Sequence, residues 1–274
     1  MSAPARLQEY GVGIFEVLRT KSALKKAIKK ERVWVNGAVA STATYIKGGE
    51  CIELMQDAAN GPILRVKLQV LYEDQHLAAV YKPAGLVVSG NRFFTLAHAL
   101  GWQIRPSEEP DAVAPAPVHR LDCPTTGVVL VGKTSGAILK LNQCFQERAI
   151  EKEYVAVAIG AMTASGTIRE PVDHKEAVTH YEVLHRLPSA RFGVLNLVRL
   201  RPQSGRRHQL RKHLAHLGHP ILGDRDYAKE GLLLRGKGMY LHACSLSFAH
   251  PVTGERMHIE AEWPKKFRKL FPDS

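Results

Sequence analysis

An arginine and an aspartate stand two positions apart in the run Val118-His119-Arg120-Leu121-Asp122-Cys123-Pro124-Thr125-Thr126-Gly127. The apolar run Val128-Val129-Leu130-Val131 follows at once and reads as a strand. Pro-Thr-Thr-Gly reads as a turn that carries both side chains clear of that strand. A short carboxylate displayed beside a cation suits a reaction in which the acid stays ionised and attacks a substrate or takes a proton from it. The plainer explanation is a turn carboxylate that caps a backbone N–H. Burial alone raises a carboxylate pKa, so the chemical role needs a cationic partner.

Arg211 is a candidate for that partner. On a helix predicted from Arg206 to Leu217, Leu210, Leu214 and Leu217 form the buried stripe, and Arg211 sits at its edge. Its guanidinium can reach inward, whereas Arg206, Arg207 and Lys212 are better placed for phosphate. A solvated basic face explains Lys212 equally well. His208, His213, His216 and His219 invite a metal reading, with two ligands three apart on one helix face. No acidic ligand or cysteine lies near them, and the neighbouring cations repel a divalent ion, so no metal is expected. Tyr154, opening the strand Tyr154 to Ile159, is either a core residue or a ring that stacks on a base and offers its hydroxyl for proton transfer.

The elements that must position these groups fall into two parts. Residues 22–31 read as a helix, with Ser22 as N-cap, Leu24 and Ile28 as a narrow apolar stripe, and Lys25, Lys26, Lys29 and Lys30 on the other side. Asn36-Gly37 between apolar residues marks a hairpin. Gly48-Gly49 precedes another strand, Cys51-Ile52-Glu53-Leu54. These make a compact unit over residues 11–55, followed by a linker at 56–67. A larger unit spans 68–264. It has strands at 70–72, 77–81, 128–131, 154–159, 179–185, 193–201, 240–248 and 256–262, and a loop at 103–117. A helix runs from an N-cap at Thr134 to about Glu147. Another ends at Gly218 with Pro220 beyond it. Long strands with few helices between them predict an α+β fold: a mixed, largely antiparallel sheet with a small N-terminal α/β domain.

The chain has 274 residues, 45% hydrophobic and 23% charged, with a formal net charge of +12. That balance fits a globular protein with a polyanionic partner. Seven Lys/Arg lie between Arg19 and Arg32 against one acid, and the run Arg206 to His213 has no acid. The four cysteines never pair as C-x-x-C, which argues against a zinc ribbon or disulfide framework. Neither a secretory signal nor a membrane-length apolar run is present, so a cytoplasmic protein is expected.

The His119-Arg120-Leu121-Asp122 motif with its Thr-Thr-Gly turn resembles the signature of RNA pseudouridine synthases of the RluA type. Three further stretches are similar to that family in order and spacing. They are Tyr81-Lys82-Pro83-Ala84-Gly85-Leu86, Lys152-Glu153-Tyr154, and Gly205-Arg206-Arg207-His208-Gln209-Leu210-Arg211 through Gly218 to Asp224. Leu241-His242-Ala243 resembles the closing strand. Cys123-Pro124, Arg207 and Ser89 depart from the usual residues. The last two are places where substrate choice can differ. The basic helix with Arg32-Val33-Trp34-Val35-Asn36-Gly37 and the Gly-Gly strand resembles the RNA-binding module named after a small-subunit ribosomal protein.

The resemblance implies isomerisation of uridine to pseudouridine in structured RNA, with no cofactor. Ribosomal RNA is favoured over transfer RNA, and a monomer is expected. It carries over Asp122 as the catalytic carboxylate, which attacks ribose, abstracts a sugar proton or attacks the uracil ring. It carries over Arg211 as the ion-pair partner of Asp122, and Tyr154 as the ring that stacks on the base and assists proton removal. Arg120 would fill the space left by the flipped nucleotide. His119, Arg206, Arg207 and His208 would contact RNA, as would the lysines at 25, 26, 29 and 30. The rival class is a non-catalytic RNA-binding or ribosome-assembly factor on the same fold.

Overall fold

The computed structural model describes residues 4–15, 18–54, 64–90, 94–228, 231–234 and 236–272. The chain forms two compact units, Met1–Gly61 and Pro62–Ser274. The 56–63 part of the expected linker lies outside the described residues.

The first unit contains β1 (Ala5–Arg6), α1 (Leu7–Tyr10), α2 (Lys21–Lys29), β2 (Val33–Val35), β3 (Ala38–Val39), β4 (Tyr45–Ile46) and β5 (Ile52–Leu54). It therefore begins upstream of residue 11. Thr20, not Ser22, caps α2: its Oγ1 accepts from the Ala23 N–H at 3.1 Å. Asn36 and Gly37 both take positive φ, as a two-residue hairpin between β2 and β3 requires. Leu24, Ala27 and Ile28 of α2 pack on Leu7, Val33 and Ile46 to form this unit's core. The lysines of α2 stay at its surface.

The second unit begins with β6 (Gln69–Glu73), β7 (Leu77–Lys82), α3 (Leu96–Gln103), β8 (Ala112–Pro117), β9 (Thr126–Thr134), α4 (Ser135–Gln146) and β10 (Glu151–Ile159). It continues with β11 (Ser165–Ile168), β12 (Thr179–Ser189), β13 (Gly193–Pro202), α5 (Gln209–His216), β14 (Leu241–Ala249), β15 (Arg256–Glu260) and α6 (Lys265–Leu270). The main sheet has the order β11-β12-β13-β10-β14-β9-β7-β6, with β15 on β14 and β8 on β9. Every pairing in it is antiparallel except β14 with β9, which meet in parallel at His242↔Thr126 and Ala243↔Gly127. The fold is thus α+β with a mixed, largely antiparallel sheet. Among the described residues, no helix is long and apolar enough to cross a membrane.

Several boundaries differ from the sequence reading for identifiable reasons. Ala112–Pro117 is a strand inside the segment expected to be a loop, because a strand at an edge tolerates Pro115 and Pro117. Helix α3 was not anticipated; Thr95 caps it, and Leu96, Ala99 and Leu100 bury one face. Helix α5 starts at Gln209 and not at Arg206. His208 is left-handed at φ 56°, and the Gln209 Oε1 accepts from the Arg206 N–H at 3.1 Å and from the Ser204 hydroxyl at 2.7 Å. Residues 203–208 are therefore a loop. The unit also extends past 264, where α6 buries Phe267 beside Tyr240 and Leu222.

The parallel contact joins the two halves of the sheet where the Asp122 turn enters β9. Gly127 sits there at φ 123°, and a Cβ would lie 2.1 Å from the Ala243 carbonyl oxygen. Gly127→Ala should therefore cost about 2–3 kcal/mol through overpacking and strain. For a unit of this size that lowers Tm by roughly 5–10 °C. An unchanged melting curve would show that the two strands can separate there without penalty.

Candidate active site

Asp122 lies on the turn before β9, and its backbone is held from three directions. The Asp122 carbonyl accepts from the Thr125 N–H at 3.0 Å, which closes the turn. The next carbonyl, of Cys123, accepts from the Gly85 N–H at 2.9 Å and from Lys82 Nζ at 3.1 Å. Lys82 is fully buried, and its ammonium also donates to the Pro83 and Leu86 carbonyls at 2.9 and 2.8 Å. All three of its protons thus serve backbone oxygens. Burial pulls its pKa down to about 8, and the nearby Cys123 and Asp122 partly oppose that.

The Asp122 carboxylate meets two cationic or potentially cationic groups. Arg211 Nη1 stands 3.5 Å from Oδ2, and His208 Nε2 stands 3.7 Å from Oδ1. Both distances are longer than an optimal charge-assisted hydrogen bond. They leave the carboxylate oxygens free to engage a substrate.

Arg211 is anchored elsewhere. The turn after α5 brings Asp224 beneath it, and the two form a buried fork. Nε donates to Asp224 Oδ2 and Nη2 donates to Asp224 Oδ1, both at 2.7 Å. Nη2 also donates to the exposed Asp226 at 2.6 Å, and the guanidinium lies 5.0 Å from the Tyr227 ring centre. Burial disfavours the Arg211 charge, but the bonds to Asp224 and Asp226 outweigh it and raise the Arg211 pKa above its ordinary value. The expectation of an Asp122–Arg211 ion pair thus needs a correction of emphasis. Arg211 turns one nitrogen toward Asp122, while Asp224 fixes the rest of the fork.

His208 occupies a strained left-handed conformation for a residue with a Cβ. Its Nδ1 lies 2.9 Å from the Tyr227 hydroxyl. Burial lowers the pKa of His208, and the negative charge of Asp122 partly opposes that. In the neutral ring this geometry suits Nδ1 accepting from Tyr227 with Nε2–H facing Asp122.

Tyr154 begins the part of β10 that pairs with β13, and it packs between Leu200, Leu241 and Ala243. Burial and the charge of Asp122 raise its pKa, so the phenol keeps its proton at neutral pH. Asp122, Tyr154 and Arg211 line one cavity of about 310 Å³ together with Arg120, Arg206, Arg207 and His208. Such a volume lies within the ~300–1,000 Å³ range of small-molecule pockets. A wall of tyrosine and leucine, one carboxylate and a rim of arginines can hold a planar polar ring attached to a phosphodiester.

The remaining candidates are distributed differently. His119 does not line the cavity. Its Nε2 accepts from the Leu130 N–H at 2.9 Å and its ring packs 4.7 Å from Phe145, so it braces the turn against β9. Burial lowers its pKa to about 4, which agrees with the unprotonated acceptor nitrogen. Arg206 donates to the Glu176 carbonyl at 3.2 Å, and Lys212 pairs with Asp173 at 2.5 Å. His213 is buried between Thr179 and the Glu170 carbonyl, apart from His208. Lys25, Lys26 and Lys29 line a shallow surface depression of the first unit, and Lys30 caps the end of α2.

Sequence reasoning missed three participants. Asp224 closes the stretch that runs from Gly218, and a buried arginine on an apolar stripe demands such a carboxylate. Lys82 ends the apolar run Leu77 to Tyr81 on an inward-facing register, a weak signal for a buried ammonium. Nothing in the sequence indicated that His208 faces Asp122.

The model of the family described as RNA pseudouridylate synthase matches residues 76–216. The ribosomal large subunit pseudouridine synthase D of Pasteurella multocida is 34% identical, with 98% of this chain and 93% of its own length covered. The protein of the same name from Escherichia coli K12 is 35% identical over 89% of this chain and 82% of its own length. Among solved structures, human RNA pseudouridylate synthase domain containing 1 superposes with a TM-score of 0.60 at 26% identity, covering 72% of this chain and 84% of its own.

Two outcomes follow from this geometry. Asp224→Asn should lower stability by about 3 kcal/mol, because it removes the one fully buried carboxylate that holds Arg211 and leaves that charge to the exposed Asp226 and the more distant Asp122. Asp122→Asn should leave stability within about 1 kcal/mol, since Arg211 keeps Asp224 and Asp226. Urea unfolding of the two variants decides this, and equal losses would refute the division of labour. The second concerns pH. His119 and His242 both have folded pKa values lowered to about 4 by burial, so the unfolded chain binds more protons between about pH 4 and 6.5. Stability should therefore fall as pH drops through that window, by on the order of 3 kcal/mol per histidine at most. In His119→Gln the pH slope of Tm should be shallower; an unchanged slope would mean that His119 contributes nothing to it.

Proposed function

The chain belongs to the RNA pseudouridylate synthase family, whose members isomerise uridine to pseudouridine in RNA, and on that premise we propose that its substrate is large-subunit ribosomal RNA and that Asp122 carries the chemistry. The ribosomal assignment draws on the names of the two bacterial relatives. The observation that supports the catalytic assignment is the carboxylate of Asp122 beside Arg211 Nη1 at 3.5 Å, in a cavity walled by Tyr154.

In the isomerisation the C1′–N1 bond breaks and a C1′–C5 bond forms. The proton leaves C5 and N1 gains one, so nothing is gained or lost overall. Asp122 either adds to the ribose, takes a sugar proton or adds to the uracil ring. Tyr154 supports the base while it turns, and its protonated phenol lies against the ring. Arg211 offsets charge on Asp122 through Nη1. Arg120, exposed at the rim, takes the position vacated by the extruded nucleotide, since a stacked base must leave the helix before chemistry reaches it.

Arg206 and Arg207 engage phosphates at the rim. Residues 11–55 act as an RNA-binding module through Lys25, Lys26, Lys29 and Lys30, adding affinity with little base information. Residues 68–264 hold the catalytic machinery. A cytoplasmic monomer is the setting that goes with this reading, and it is compatible with the exposed free thiols of Cys51 and Cys123.

RNA tritiated at uracil C5 provides the test. The wild-type protein should release tritium from transcribed large-subunit ribosomal RNA and far less from transfer RNA. Asp122→Asn should lower release at least 10³-fold while RNA binding changes less than about threefold. Release by Asp122→Asn at the wild-type rate would remove Asp122 from the chemistry. Binding of ribosomal RNA without release by the wild type would favour a non-catalytic RNA-binding factor.

A further inference from the structure

A second cavity, larger than the catalytic one, lies where the sheet splays. Strands β10 and β13 stay paired from Ile159↔Leu195 to Tyr154↔Leu200. Beyond Tyr154 they part company. Glu151 to Glu153 pair only with Ser247 to Ser245 of β14, whereas Arg201 and Pro202 pair with His180 and Thr179 of β12. The gap between them is a cleft of about 600 Å³. It borders the catalytic cavity: Pro202 lines both. Lys152 on the cleft wall donates to the Ser204 carbonyl at 3.1 Å, and Ser204 lines the catalytic side.

The charges in the cleft do not cancel. Glu153 is held by Arg199 at 3.1 Å and by Arg201 at 2.9 Å, and Glu151 is held by Arg256 at 3.0 Å. Both acids are therefore engaged. Lys152 and Arg148 have no carboxylate partner among the described residues, and Lys152 uses only one of its three protons, on Ser204. For the half-buried Lys152, a charge without a carboxylate costs free energy unless an anion visits it, and the exposed Arg148 stands beside it with its fork unused. Lysine and arginine in a roomy cleft suit a phosphate, the lysine as a point charge and the arginine as a fork.

We propose that this cleft is a phosphate subsite for a nucleotide flanking the target uridine, with Lys152 and Arg148 as its contacts. The proposal rests on the RNA isomerase reading and adds a second anchoring point next to the catalytic cavity. It also explains why β10 and β13 separate beside Tyr154: the splay opens a path for the strand that enters or leaves the catalytic cavity. Burial and the charge of Arg148 lower the Lys152 pKa to about 8. RNA affinity conferred by this contact should therefore fade as pH rises through 8.

The experiment uses the full chain and transcribed large-subunit ribosomal RNA as the probe, with Lys152→Gln and Arg148→Gln as variants. Glutamine preserves a donor for the Ser204 carbonyl while removing the charge, and the exposed Arg148 can be replaced without disturbing the core. Each variant should reduce the slope of log affinity against log salt by about 0.7–0.9, the value of one lost phosphate contact. KM should rise several-fold, and in Lys152→Gln it should lose its increase above pH 8. Wild-type salt slopes in both variants would overturn the proposal, whether or not kcat falls. Failure of the wild type to release tritium would instead sink the isomerase reading, and the salt slopes would still decide the subsite.

Discussion

The buried fork between Arg211 and Asp224 is the constraint on which the rest of the site depends. A guanidinium inside the protein is tolerable only if carboxylates satisfy it with good geometry. Asp224 supplies two parallel bonds at 2.7 Å, and Asp226 adds a third from the solvent side. With three donations fixed, the orientation of the remaining nitrogen is determined. Nη1 faces Asp122 at 3.5 Å without being bound tightly to it. The site thus separates two tasks that one ion pair could not perform together. Asp224 holds the arginine, and Asp122 stays available to a substrate.

The other half of the site is a matter of backbone. The Asp122 turn is gripped through the Cys123 carbonyl by Lys82 and Gly85, and through His119 by the Leu130 N–H of β9. His242 lies directly across the parallel contact, 2.8 Å from the Thr126 hydroxyl. These are interior bonds made by groups that would be costly to bury unpaired. They anchor the carboxylate to the sheet through its backbone, the support that a precisely placed side chain needs.

How much of this was legible in the sequence depended on the range of the interaction. Most local signals held, with Thr134 as a cap, Asn36-Gly37 as a hairpin turn and Gly218 at the end of α5 all reporting on neighbouring residues, although the cap of α2 falls on Thr20 and not on Ser22. The α+β class followed from the spacing of the strands. Asp122, Tyr154 and Arg211 were singled out from residue type and motif order, and the fold brings all three to one cavity. What was not legible came from long-range contacts and competing local bonds. His119 looked like an RNA contact, yet a backbone N–H of β9 captures its ring nitrogen. Residues 206–208 looked helical, yet the Gln209 side chain caps α5 and leaves His208 left-handed beside Asp122. Asp224 could be seen as part of a motif, but only the fold shows that it, and not Asp122, holds most of Arg211.

The central claim is that Asp122 reacts and that Arg211 acts through it. Single-turnover isomerisation rates for Asp122→Asn, Arg211→Lys and the double variant test it most directly. If the arginine works through the carboxylate, the double variant should be no slower than Asp122→Asn alone, a fully non-additive cycle. Additive losses in the double variant would contradict the account, because Arg211 would then be acting on the substrate independently of Asp122.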